Sequence, residues 1–99
     1  MKNKIVTASS FKKRLIGLMF DKQRDIILYL PNCNGIHTFF MQYNLDILVL
    51  DEKNIIIEMH LNVKKNRIIK IKRAKKMTSI LEIPSHLGYH YRLFHQFFF

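Results

Sequence analysis

The sequence contains little cysteine, glycine or proline. Its single cysteine, Cys33, excludes an intrachain disulfide and a zinc module built from several thiolates. Three Gly and two Pro, beside eight Phe, exclude a collagen-like or disordered chain. No apolar run approaches the ~20 residues of a membrane span, and no apolar stretch of signal-peptide length begins the chain. We therefore expect one soluble, cytoplasmic domain over residues 1–99.

Acidic residues are also scarce. Against 17 Lys and Arg stand 7 Asp and Glu, a formal net charge of +10. A segment without any acid carries Lys64, Lys65, Arg67, Lys70, Lys72, Arg73, Lys75 and Lys76. Such a segment is a candidate surface for nucleic acid or another acidic partner. It has no Phe or Tyr on which bases could stack, which favours the alternative of a solvated loop and strand face.

One short helix is predicted near the N-terminus. Ser9 or Ser10 would cap it, and it would end near Phe20 and Asp21. Apolar residues at helical spacing form one side of it, namely Phe11, Leu15, Leu18 and Met19.

The rest of the chain has β-type composition. Strands are predicted over residues 26–30, 37–41, 46–50, 55–63, 67–73 and 78–83, followed by one helical turn capped by Ser85. The clearest period of two runs from Ile55 to Val63, with one apolar and one mostly polar face. Because no helices alternate with the strands, the pattern predicts a mainly β fold, a small antiparallel β-sandwich or barrel-like domain with one short N-terminal helix.

Three ordered segments resemble a known family. Residues 33–51 read CNGIHTFFMQYNLDILVLD, residues 14–19 read RLIGLM, and residues 80–84 read ILEIP. In this order and spacing they resemble the bacterial and archaeal family called domain of unknown function 192, or uncharacterised ACR. The resemblance covers about residues 4 to 88.

The resemblance implies a compact β-sandwich with an N-terminal helix, and it implies no established activity. The family usually ends with a Gly-Ile-x-x-Gly-Asp turn and a last strand. Here the segment from Gly88 to Phe99 has no such Gly-Asp pair. The resemblance therefore does not predict how the final strand of this chain pairs or whether it contacts a partner.

Cys33 and His37 could be combined with Asp46 and His60 into a metal set, or with each other into a catalytic pair. Their spacing matches no standard zinc pattern, and residues 33 and 37 would lie ~13 Å apart on a straight strand. No third group that would orient the imidazole is identifiable. We therefore expect no metal and no cofactor. The favoured interpretation is structural, with a small buried Cys and a His whose ring satisfies a loop carbonyl.

A polar pocket among apolar side chains is the other candidate site. Its ligand-binding residues would be Cys33, His37, Thr38, Phe40, Met41 and Asp46. The favoured alternative for Asp46 is structural, as an acceptor of backbone N–H bonds between neighbouring segments. The aromatic tail, with Phe97, Phe98 and Phe99, is expected to close the sandwich as its last strand, the alternative being an exposed patch for a partner or membrane surface.

The sequence thus favours a binding module for a small ligand or a protein partner over an enzyme. No paired carboxylates, phosphate-binding glycine loop or catalytic triad is visible. Two alternatives remain open: a non-specific binder of nucleic acid or acidic surfaces through residues 64–76, and an enzyme or metal protein using Cys33, His37 and Asp46. The ligand and the oligomeric state cannot be read from the sequence.

Overall fold

The chain is mainly β-structure. The computed structural model describes residues 5–7, 26–33, 35–37, 43–70 and 78–99, and for Ile36 and His37 it describes the backbone. The elements in these ranges are β1 (Ile5–Thr7), β2 (Ile27–Leu30), β3 (Gly35–His37), β4 (Leu45–Leu50), β5 (Ile56–Val63), β6 (Ile68–Lys70), β7 (Ser79–Pro84) and a 3₁₀ helix (Ser85–Leu87).

Five of these strands form one open sheet, in the order β1-β2-β7-β4-β5. β1 pairs with β2 in parallel, whereas the β2–β7, β7–β4 and β4–β5 ladders are antiparallel. The sheet is therefore open and mixed. The prediction of a mainly β fold is confirmed, whereas a small antiparallel sandwich or barrel-like domain was expected. β3 and β6 form a separate antiparallel two-stranded ribbon.

The parallel pair accounts for the difference. β1 was not predicted, because Ile5–Thr7 is too short to give a periodic signal. Parallel strands need a connection of a dozen or more residues, and residues 8–26 supply it. The helix predicted between Ser9 or Ser10 and Asp21 lies outside the described residues.

Both faces of the five-stranded sheet are buried, because strand alternation sends successive side chains to opposite sides. On one face Cys33 and Ile69, from the loop after β2 and from the ribbon, pack against a core cluster. The buried members of this first cluster are Leu28, Leu30, Leu45, Ile47, Val49 and Ile80. Continuous apolar runs such as residues 47–50 are what a strand covered on both faces requires.

The C-terminal segment covers the other face. Leu87, Tyr89, Tyr91 and the buried Phe97 pack on a second cluster. Its remaining buried members are Ile27, Leu48, Leu50, Ile56, Leu81 and Ile83. Phe97 is 7% exposed, whereas Phe98 and Phe99 are 75% and 55% exposed. The tail therefore folds back as expected but closes the core through Phe97, and its link to the sheet is an isolated bridge between Gln96 and Ile55 rather than a strand.

The alternation expected along β5 is interrupted. Two register shifts in the β4–β5 ladder separate Leu45 from Ile47 and Val49 from Leu50. As a result Ile56, assigned by periodicity to the mostly polar face, is 3% exposed, and Leu61, assigned to the apolar face, is 55% exposed. A bulge shifts the side-chain period by one residue and so moves the following side chains to the opposite face.

Candidate functional site

The Asp46 carboxylate stabilises the bulge at the end of β5. Leu45 faces Val63 and Ile47 faces His60, so the bulge places two residues of β5 opposite Asp46. Asn62, one of the two, has a left-handed backbone with φ of 55°. Its N–H, displaced from the regular ladder, donates to Asp46 Oδ1 at 2.9 Å. This contact supports the structural alternative for Asp46, which is 7% exposed.

The same carboxylate holds the end of β7. Ser85 Oγ donates to Asp46 Oδ1 at 2.8 Å, and the Ser85 N–H donates to the carbonyl of Asn44 at 2.9 Å. Ser85 was predicted to cap the following helical turn, but the cap position is Pro84 and no side chain caps it. The Ser85 hydroxyl instead joins β7 to β4. Because a charged acceptor strengthens its hydrogen bonds, Asp46 is a strong link between three strands.

A depression of about 380 Å³ opens above this link. It is lined by Tyr43, Asn44, Asn62, Ser85 and His86. Asn44 Nδ2 donates to Asn62 Oδ1 at 2.9 Å, and the rings of Tyr43 and His86 meet edge to face at 5.7 Å. Two amides, a hydroxyl, a phenol and an imidazole can both donate and accept hydrogen bonds, and the rings add an apolar surface.

Tyr91 lies close enough to Asp46 for the charge of the carboxylate to act on its hydroxyl. The Tyr91 hydroxyl is buried, and it has no hydrogen-bond partner among the described residues. Burial first, and then the negative charge of Asp46, raise the pKa of Tyr91 above its usual range. The phenol therefore stays protonated at any ordinary pH.

None of the described residues that line the depression was predicted to be a site residue. They come from the segment before β4, the end of β5 and the turn after β7, and the depression exists because Leu45 pairs with Pro84 and Val63. The sequence does have polar residues at strand ends, namely Asn44, Asn62 and Ser85. They indicate a common site only once the pairing of β4 with β7 is known.

The predicted pocket residues are only partly described. Cys33 is half-buried, its Sγ lies 3.1 Å from the carbonyl oxygen of Gly35, and Asp46 belongs to the link above. The backbone of His37 is paired with Ile68 in the ribbon. Thr38, Phe40 and Met41 lie outside the described residues.

Three titratable residues lie on the ribbon side of the sheet by their ladder register. Glu82 and Glu58 were not predicted as site residues, and His60 was weighed as a metal ligand. Glu82 lies between Leu28 and Ile47 in the ladder register and is 4% exposed. Burial among aliphatic side chains raises the pKa of Glu82 to about 7. On β5, His60 Nε2 lies 2.6 Å from Glu58 Oε2.

The basic segment is exposed where it is described. Lys64, Lys65, Arg67 and Lys70 lie on or beside the connection from β5 to β6. Lys72, Arg73, Lys75 and Lys76 lie outside the described residues.

Two features are not found in the part of the chain that the structure describes. His, Cys, Asp and Glu side chains do not gather there in a group of three that could hold a metal ion. That part also has no helix with the length and hydropathy needed to cross a membrane.

The family of the chain follows from comparison with known proteins. The model of the family described as Uncharacterized ACR, domain of unknown function 192, matches residues 2–92. Neither a curated protein nor a solved structure gives a significant match. The match covers the three segments quoted from the sequence and most of the described fold. The chain therefore belongs to the family of domain of unknown function 192.

Proposed function

We propose that this domain is a cytoplasmic, non-enzymatic binding module that takes a small polar ligand in the depression above Asp46. The observation that carries the proposal is the depression of about 380 Å³ lined by two amides, a hydroxyl, a phenol and an imidazole. Concave sites that combine ring surfaces with a few convergent polar groups are the usual form of small-molecule sites.

The link beneath the depression supports this proposal. Asp46 fixes Asn62 and Ser85, so two of the lining residues are held in place before a ligand arrives. A site that is already ordered loses less conformational entropy on binding. In this proposal Asp46 is a positioning residue and does not itself touch the ligand.

The ligand is expected to be neutral and rich in hydrogen-bonding groups. The described lining residues include no Lys, Arg, Asp or Glu that would select a charged group. Asn44 and Asn62 offer amides, and the rings of Tyr43 and His86 offer surfaces for an apolar face. His37, Thr38, Phe40 and Met41 remain proposed contributors, because they precede Tyr43 closely in the chain.

The test is an NMR titration of the ¹⁵N-labelled chain with two probe sets, neutral monosaccharides and N-acetylated amino acid amides. We expect at least one probe to shift the amide signals of Asn44, Asn62, Ser85 and His86 while the signals of β1 and β2 stay in place. His86→Ala should weaken that binding without loss of fold, since His86 is exposed.

His90→Ala is the matched control, because His90 is also exposed and does not line the depression. It should bind the probe like the wild type. If neither probe set shifts these signals, or if both His variants weaken binding equally, the proposed site is wrong.

A further inference from the structure

β5 and β6 follow each other in the chain but belong to different sheets. Four residues, Lys64 to Arg67, connect them, with Asn66 in a left-handed turn at φ of 64°. So short a connection usually joins two paired strands. Here β5 is the edge of the five-stranded sheet and β6 pairs with β3. No described ladder joins β5 to β6.

The tail covers the beginning of the outer edge of β5. The Ile56 N–H donates to the carbonyl of His95 at 2.9 Å, and the Phe94 N–H donates to the carbonyl of Ile56 at 2.7 Å. Beyond Ile56 the described ladders of β5 run along its β4 side. Among the described strands, the second half of this eight-residue strand therefore has no neighbour on its outer side. Such a sheet edge is the type of element to which an extended segment adds.

A groove lies beside that edge. It has a volume of about 410 Å³ and is lined by His60 of β5 and by Ile68, Ile69 and Lys70 of β6. Ile68 is 66% exposed, and with Ile69 it forms the aliphatic part of the groove. An extended segment bound here would place alternate side chains against this aliphatic surface and the others toward solvent.

The charge around the groove is positive. Lys65 and Lys70 are exposed, as are Lys64 and Arg67. Glu58, the acid on β5, is already engaged by His60 at 2.6 Å. An acidic segment is therefore favoured over a basic one, and a second copy of this chain, at +10, is disfavoured by repulsion.

We infer that the groove between β5 and β6 binds an extended, acidic peptide segment of a partner protein, which adds as a strand to the outer edge of β5. A peptide is favoured over nucleic acid because the apolar residues that line the groove, Ile68 and Ile69, are aliphatic, whereas single-strand binding uses aromatic stacking. The groove and the depression above Asp46 share no lining residue, although Asn62 of the depression belongs to β5. The two proposals are therefore tested on different residues.

The test measures binding of a peptide of about nine residues in which Glu alternates with Val, long enough to pair with the second half of β5 and to extend beyond it along the groove. Fluorescence anisotropy gives the Kd, and NMR of the labelled chain gives the location. We expect shifts in the amides of His60 and of β6, which line the groove, while the amides of Asn44 and His86, which line the depression, stay in place. Methylation of alternate backbone nitrogens in the peptide should weaken binding by at least about tenfold, because strand addition needs those N–H groups.

Two charge reversals are the matched variants. Lys70→Glu lies in the groove and should weaken binding by about fivefold or more. Lys53→Glu makes the same charge change on an exposed residue at the far end of β5 and should change the Kd by less than about twofold at the same salt concentration.

Three results would overturn the inference. The first is no binding of the peptide at millimolar concentration. The second is equal binding of the methylated peptide and of a single-stranded oligonucleotide of the same charge, which would identify a non-specific polyanion surface. The third is dimerisation of the free chain, seen by sedimentation and mapped by NMR to β5 and β6, which would make a second copy the occupant.

Discussion

Cys33 and Thr78 hold each other through two hydrogen bonds. The Cys33 N–H donates to the carbonyl of Thr78 at 3.0 Å, and Thr78 Oγ1 donates to the carbonyl of Cys33 at 3.0 Å. Forty-five residues separate them in the sequence. The pair fastens the loop after β2 to the residue that leads into β7.

Thr78→Val should lower the free energy of unfolding by about 1–2 kcal/mol. Thr78 is 4% exposed, and Val keeps its shape while leaving the carbonyl of Cys33 without the hydroxyl donor. Urea unfolding measures the change. Thr78→Ser retains the hydroxyl and should lower the free energy of unfolding by less. A larger decrease for Thr78→Ser than for Thr78→Val would show that packing matters more than the hydrogen bond.

Asp46→Ala should destabilise the fold by about 2–4 kcal/mol, because it removes the acceptor for both the Asn62 N–H and the Ser85 hydroxyl. Asp46→Asn keeps one oxygen that can accept these hydrogen bonds, so it should lower the free energy of unfolding clearly less than Asp46→Ala. Thermal and urea unfolding of the two variants check this. If Asp46→Ala unfolds like the wild type, Asp46 is not structural, and a direct role in binding becomes the better interpretation.

Glu82 should make stability depend on pH. Burial raises its pKa from 4.5 to about 7 in the folded chain. Between these two pH values the Glu82 carboxyl is deprotonated in the unfolded chain and protonated in the folded chain. The free energy of unfolding is therefore highest below about pH 4.5 and falls as the pH rises toward 7. The loss should be about 3 kcal/mol.

Glu82→Gln isolates this effect, since the amide does not titrate. The difference in unfolding free energy between wild type and Glu82→Gln, measured by urea unfolding from pH 4 to 8, should change by that amount and then level off above pH 7. A constant difference across this range would show that Glu82 titrates normally.

Phe97→Ala should cost about 3–4 kcal/mol, because Phe97 is 7% exposed in the second core cluster. Phe98→Ala, at a neighbouring residue that is 75% exposed, should cost less than about 0.5 kcal/mol. Thermal unfolding compares the two. Equal effects would mean that the tail does not pack on the sheet as described.

The strands predicted best were those with a local signal. The predicted strand 46–50, with its apolar run at 47–50, corresponds to β4 (Leu45–Leu50), and the predicted strand 78–83 corresponds to β7 (Ser79–Pro84). Predicted strand 67–73 is described as Ile68–Lys70, with residues 71–77 outside the described ranges. These segments were predictable because composition and periodicity act over neighbouring residues.

The site was not predictable, because it depends on which strands become neighbours. The strand order brings together Asn44, Asn62 and Ser85, because β4 lies between β5 and β7. The left-handed turn at Asn62 breaks a period of two that continues in the sequence to Val63. Nothing local marks the bulge, and Asp46 was weighed as a backbone acceptor without its partner being known.

The position of β7 has a consequence for the order in which the protein can assemble during synthesis. β7 lies between β2 and β4, so the β1–β2 pair and the β4–β5 hairpin have no contact in the sheet until residues 79–84 have left the ribosome. Until then the inner edges of β2 and β4 are open, and they are rich in Ile and Leu. Such nascent edges are the surfaces on which chaperones act and from which aggregation begins. The last strand to emerge is therefore the one that makes the sheet a single unit.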